Sequence, residues 1–168
     1  AQGYADETGI PLYLAIIRDY ETKKTLYEPQ VNKRVREIRK KLITISDLIK
    51  GKKIVVVDEA IISGLTMAST VEKLENAGAK EIHIRIPSPI MFSNCKYNVL
   101  AKDAKLIAAD FRNYSKEITE EKMAKHFGVS SLRYLSLEGF KRNLPNKEAA
   151  CLDCFRRNYN GNNKSNIS

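Results

Sequence analysis

Cysteine is scarce in this sequence, aromatic residues are few, and no apolar stretch is long enough to cross a bilayer. Three cysteines in 168 residues cannot all pair with one another, so the fold must rest on burial and not on a disulfide framework. The longest apolar run near the N-terminus is Leu14 to Ile17, preceded by the acidic Asp6 and Glu7. That order argues against a basic-then-apolar leader and against a spanning helix, and a cytoplasmic location is expected. Aromatics at 8%, with no helix-turn-helix pattern, give no stacking platform for nucleic acid. Neither GxxxxGK[ST] nor GxGxxG occurs, which removes Walker-type and dinucleotide loops. From Arg156 onward there is no acidic residue and little to bury, and a disordered polar tail is expected over 160–168.

What is present describes one globular domain. Hydrophobic residues make up 43%, and a chain of this length buries roughly two-thirds of its unfolded surface. The pattern alternates strands and helices. Pro11 to Ile17 (PLYLAII) is a short β-rich run between turn signals at Gly9 and Asp19. Over 31–42, Val31, Val35, Ile38 and Leu42 form one apolar stripe on an otherwise basic helix. Ile54 to Val57 is a β-branched run ending in Asp58 and Glu59, the pattern of a buried parallel strand whose carboxyl end opens to solvent. A helix follows with Met67, Val71, Leu74 and Ala77 on one face and Gly78 as its stop. Glu81 to Ile86 alternates Ile82, Ile84 and Ile86 with polar residues. This strand–helix–strand unit predicts an α/β fold with a parallel sheet flanked by helices. Further on, Thr119 is the expected cap of a helix stapled by Ile118 and Met123 and stopped by Gly128, and Leu132 to Ser136 reads as another strand.

The net charge of +9 is concentrated: residues 18–53 hold 12 basic against five acidic residues. A solvated basic helix is the plain reading of such a run, and its closeness to the next motif favours an anion-binding face. That motif is IVVVDEAIISGLT, residues 54–66. A turn after a parallel strand offers backbone N–H groups and the positive end of the next helix to a phosphate, with Ser63 and Thr66 as extra donors. Gly64 allows close approach of the backbone. The adjacent Asp58 and Glu59 suit the vicinal hydroxyls of a sugar, or a hydrated Mg²⁺. A ligand carrying both phosphate and diol is implied.

These residues resemble the signature of the type I phosphoribosyltransferases, which bind phosphoribosyl pyrophosphate (PRPP). The likeness to the glutamine PRPP amidotransferases of purine synthesis is closer and runs from Tyr4 to Tyr159, through GIPLYLAIIRDY, KKTLYEPQ, IRKKL, GKKIVVVDEAIISGLT, AGAKEIHIRIPSP, LIAA, SSLRYLSLEGF and CLDCF. It implies a phosphoribosyltransferase domain over 1–144 with a mobile flap, missing the family's first strand, and a CxxC segment over 145–159. By resemblance Asp58 and Glu59 would hold the ribose and Mg²⁺, and Ala60, Ile61, Ile62, Ser63, Gly64, Leu65 and Thr66 would wrap the 5′-phosphate. Lys24, in the flap segment, and Arg39 and Lys41 would meet the pyrophosphate. Where the amidotransferases read DDSIVRGTT this chain reads DEAIISGLT, with Ser63 in place of Arg, and Lys24 stands where the family has Arg. A weakened or retuned phosphate cradle is expected.

CLDCF by spacing alone is a zinc half-site, a redox pair or two plain thiols. The resemblance adds a 4Fe-4S cluster, with Cys95, Cys151 and Cys154 as three of its ligands and the fourth absent from this chain. It also implies ammonia as nucleophile, a glutaminase domain or subunit as its source, and a homo-oligomer. His83 and His126 are expected to be structural or solvent-facing. Two rival functions stand beside this one: a nucleobase phosphoribosyltransferase, and a degenerate regulatory protein that binds PRPP or nucleic acid.

Overall fold

The computed structural model describes residues 1–18, 42–95, 97 and 105–158, with every side chain in those stretches except that of Arg18. Helix α1 (Gln2–Thr8) is followed by strand β1 (Ile16–Arg18), which pairs antiparallel with β2 (Leu42–Thr44). Strands β3 (Lys53–Val57), β4 (Glu81–Ile86) and β5 (Ser131–Tyr134) form a parallel sheet in the order β3-β4-β5. Helix α2 (Leu65–Asn76) crosses from β3 to β4, helix α3 (Lys116–Phe127) leads into β5, and α4 (Leu137–Arg142) follows it.

The core lies on one face of the sheet. Ile82, Ile84 and Ile86 of β4 and Leu132 and Tyr134 of β5 pack there with Met67, Val71 and Leu74 of α2 and Met123, Ala124 and Phe127 of α3. Leu74, Ile84, Met123 and Leu132 are fully buried, each contributing roughly 1.5–3 kcal/mol by leaving water. On the opposite face the same alternation presents Val55, His83 and Arg85, all half-buried. His83 is structural, as expected: its Nδ1 lies 2.9 Å from Ser131 Oγ and its Nε2 3.3 Å from Glu81. His126 is exposed at the end of α3 and meets Phe127 edge-on.

The outer edge of β5 is closed by a side chain. Glu120, only 2% exposed, accepts a 2.7 Å hydrogen bond from the Tyr134 backbone N–H and a second from Lys116, with Arg133 Nε at 3.7 Å. β3 lies outermost on the other side among the described residues.

Several expectations need correction. The run from Pro11 becomes strand only at Ile16, with the Ala15 carbonyl before it still accepting the Ile45 N–H at 2.9 Å. Leu42 opens β2 and does not close a helix; the rest of the expected helix over 31–42 lies outside the described residues, as does the tail. Ser115, not Thr119, caps α3: its hydroxyl accepts from the Ile118 N–H at 3.3 Å. Thr119 is one turn in and fully buried, donating to the Ser115 carbonyl at 2.7 Å, and Ile118, 43% exposed, lies within the helix and not ahead of its cap. Gly78 and Gly128 do end their helices, each at positive φ.

Candidate functional site

Asp58 and Glu59 leave the carboxyl end of β3, and the chain turns through 60–64 into α2. That turn is pinned at three points. The Asp58 N–H donates to the Arg85 carbonyl at 3.3 Å, the Ile62 carbonyl accepts from the Ile107 N–H at 3.0 Å, and Ile61 sits in the core at 4% exposure. Gly64 stands at the N-cap of α2 with φ +78°, in the left-handed region where a side chain is strained. No side chain caps this helix and no acid occupies its first turn, so neither lessens the positive end of its dipole. Ser63 is half-buried and Thr66 exposed, both within the turn and first helical residues as expected.

The two acids interact. The Glu59 N–H donates to Asp58 Oδ1 at 3.0 Å. Burial, together with the neighbouring Glu59 carboxylate, pushes the Asp58 carboxyl up to about 6 from its ordinary 3.8. An acid pair poised in this way gains from a cation or from hydroxyl donors, which relieve both causes. Among the described residues no group of three or more His, Cys, Asp or Glu could hold a metal ion. Two adjacent carboxylates nonetheless fit Mg²⁺, which takes one or two carboxylates and completes its shell with ligand oxygens and water.

Lys24, Arg39 and Lys41 lie outside the described residues. The three cysteines are free: Cys151 is exposed, and Cys95 and Cys154 are half-buried. The Cys154 carbonyl accepts from the Phe92 and Ser93 N–H groups at 2.9 and 3.1 Å, which ties the loop before Cys95 to the CxxC. Burial, and then the nearby Cys95 and Cys151, push the Cys154 thiol up to about 11.

A scan with the phosphoribosyl transferase domain matches residues 1–89. The chain belongs to the phosphoribosyltransferase family. Among the relatives of this phosphoribosyltransferase are amidophosphoribosyltransferases of Methanocaldococcus jannaschii, 36% identical over 160 residues, and Archaeoglobus fulgidus, 34% identical over 163. Each match takes in 95% of this chain but only 32% and 34% of the relative. A solved glutamine PRPP amidotransferase from B. subtilis, in complex with ADP and GMP, superposes with a TM-score of 0.74 at 32% identity, over 95% of this chain and 35% of that one. The chain thus spans about a third of the length of the proteins it matches.

Two buttresses of the phosphoribosyltransferase turn were not foreseen. A Cβ on Gly64 would come within 3.0 Å of Ile107 Cδ1 and Phe127 Cζ, so these side chains set the height of the turn. Phe127 carried a signal, since it ends the apolar face of α3 just before Gly128; Ile107 did not. Gly64→Ala is therefore expected to cost about 1–2 kcal/mol from backbone strain alone, with crowding added. Urea unfolding measures it, and an unchanged midpoint would contradict this role for the glycine.

Proposed function

We propose that the chain is the phosphoribosyl-transferring part of an amidophosphoribosyltransferase, which converts PRPP and ammonia to 5-phosphoribosylamine and pyrophosphate in purine synthesis. The observation that carries the reading is the pair of adjacent acids, with Asp58 held above its ordinary value, set directly before an uncapped, glycine-headed helix at the end of a parallel strand. In this reading Asp58 and Glu59 accept hydrogen bonds from the ribose hydroxyls, and the N–H groups of 60–66 receive the 5′-phosphate. Because backbone groups carry the phosphate, Ala60, Ser63 and Leu65 are compatible with the cradle despite their departure from the family pattern. Bound Mg²⁺, held by Asp58 and Glu59, would neutralise charge on the departing pyrophosphate.

Positive charge develops at C1 of the ribose as the C1–O bond to pyrophosphate breaks, and Lys24, Arg39 and Lys41 would receive the leaving group. Neutral ammonia needs no general base to attack, so catalysis is positioning and electrostatics. A glutaminase domain or subunit would supply the ammonia, in keeping with relatives that extend well beyond the matched region.

The three thiols are the right kind of donor for a 4Fe-4S cluster, but they are one short of its four ligands and do not stand at ligand distance. No step of the transfer runs through such a cluster.

The test is pyrophosphate release from Mg-PRPP by the purified chain, with ammonia and with glutamine. Release with ammonia alone is expected; release with neither would overturn the catalytic reading and favour the regulatory one. A pH series adds a signed prediction. Between 3.8 and about 6 the unfolded chain has lost the Asp58 proton that the folded chain keeps, so the stability of the ligand-free chain falls as pH rises through that window. Mg-PRPP requires the ionised pair, so its binding should strengthen as pH rises through about 6 and then level off. Calorimetric titration at several pH values checks this; binding flat from pH 5 to 8, roughly the window around that value, would contradict it.

A further inference from the structure

Strands β1 and β2 form a ribbon of two strands, with no third beside them among the described residues. A ribbon of that size is marginal in water unless its faces are packed. Alternation divides this one into two unlike faces. Ile16, Leu42 and Thr44 are half-buried, and Ile16 packs on the core. Ile17 and Ile43, direct partners across the ladder, are 46% and 52% exposed. Ile45 follows on the same side at 38%, opposite Ala15, which is too small to cover it. The residues that lead into β1 extend this surface: Leu12 and Tyr13 are exposed, and Leu14 is 77% exposed. Lys52 steadies the Tyr13 ring, its Nζ lying 5.3 Å from the ring centre.

We propose that the outward face of the β1–β2 ribbon, extended by Leu12 to Leu14, is a docking surface for a second copy of this chain, the two ribbons packing face to face about a two-fold axis. At these exposures the six side chains leave roughly 500 Å² of apolar surface in water, the upper end of what a monomer carries in one patch and well over half of the ~800 Å² a side of a standard interface. None of the six is charged, so a strongly acidic or basic partner would find no counter-charge among them. A β-branched, aliphatic face is instead complementary to itself, as a two-fold contact requires, and absence of charge is what the centre of such an interface shows. Stacking at the ~10 Å spacing of packed sheets would bury Ile17, Ile43 and Ile45 of both copies and give each ribbon the second layer it lacks. The proposal is independent of the transfer reaction, since it names a surface away from the acid pair and the helix-headed turn.

Sedimentation equilibrium of the purified full chain over about 1–100 μM tests it, and the parent should be dimeric in the upper part of that range. A lysine at the centre of the face, Ile43→Lys or Ile17→Lys, buries an unpaired charge and should weaken association at least about 100-fold. Ile43→Thr keeps a β-branched residue in the strand; it should weaken association about tenfold and serves if the lysine variants do not fold. Ile118→Lys, on α3 and comparably exposed, should leave association unchanged. A parent chain that is monomeric throughout overturns the proposal. So does association that Ile43→Lys and Ile17→Lys leave intact, or that Ile118→Lys weakens as much. Growth beyond the dimer overturns it as well, because a two-fold contact closes on itself. A monomer that co-sediments with phosphatidylcholine–phosphatidylserine vesicles would assign the face to a lipid surface instead.

Discussion

Replacing Asp58 by asparagine is expected to weaken Mg-PRPP binding by at least about 100-fold while making the ligand-free chain more resistant to urea at neutral pH. The two effects have one origin. Asp58 is half-buried at the end of β3 beside a second acid, and its ionised form is disfavoured by desolvation first and by Glu59 second. Asparagine removes that charge, and the relief should be worth on the order of 1 kcal/mol once solvent screening is allowed for. The same change removes an anionic acceptor for a ribose hydroxyl and a ligand for Mg²⁺. Hydrogen bonds to charged groups are worth about 1.5–3 kcal/mol each, so losing one or two accounts for the loss of affinity. Glu59→Gln should lose affinity too, with a smaller gain in stability because Glu59 is exposed. If Asp58→Asn binds as well as the parent chain, the acid pair is not the ligand site. If it binds poorly and also unfolds more easily, the loss reflects damage to the turn.

Glu120→Ala is expected to destabilise the fold by roughly 3 kcal/mol, a large part of the 5–15 kcal/mol that holds a typical domain together. The carboxylate takes the place of a neighbouring strand: it receives the Tyr134 N–H at the edge of β5 and ties it to Lys116 on α3. Alanine leaves that buried N–H unsatisfied and opens a void between helix and strand. Glu120→Gln retains an acceptor and the volume, and should cost about 1 kcal/mol. Urea unfolding at pH 7 of the three proteins gives the ordering directly. Equal losses for Ala and Gln would mean that the charge, and not the hydrogen bond to the strand, is the stabilising feature.

The strand, turn and helix over 53–76 could be read from the chain because three independent patterns coincide there: a β-branched run, two acids and a glycine entering a periodic helix. The same periodic reasoning found β4 and the parallel pairing. It misplaced the start of α3 because Ser115 and Thr119 both precede helix-forming residues, and only burial distinguishes the hydroxyl that caps from the one that sits inside. Glu120 could not be singled out, since a glutamate four residues after a lysine reads as a solvated surface pair. Burial and long-range contact, which local pattern does not encode, decided each of these cases.

The unequal treatment of the two sheet edges has a practical side. Glu120 takes up a main-chain donor at the edge of β5, whereas β3, the strand that delivers the acid pair, lies outermost among the described residues, with a β-branched sequence and half-buried side chains. A strand of that composition with no strand beside it among the described residues is a template for pairing with other chains. Production of this polypeptide by itself should accordingly favour low concentration and low temperature, and a lysine introduced at an outward position of β3 is the natural solubilising change to try first.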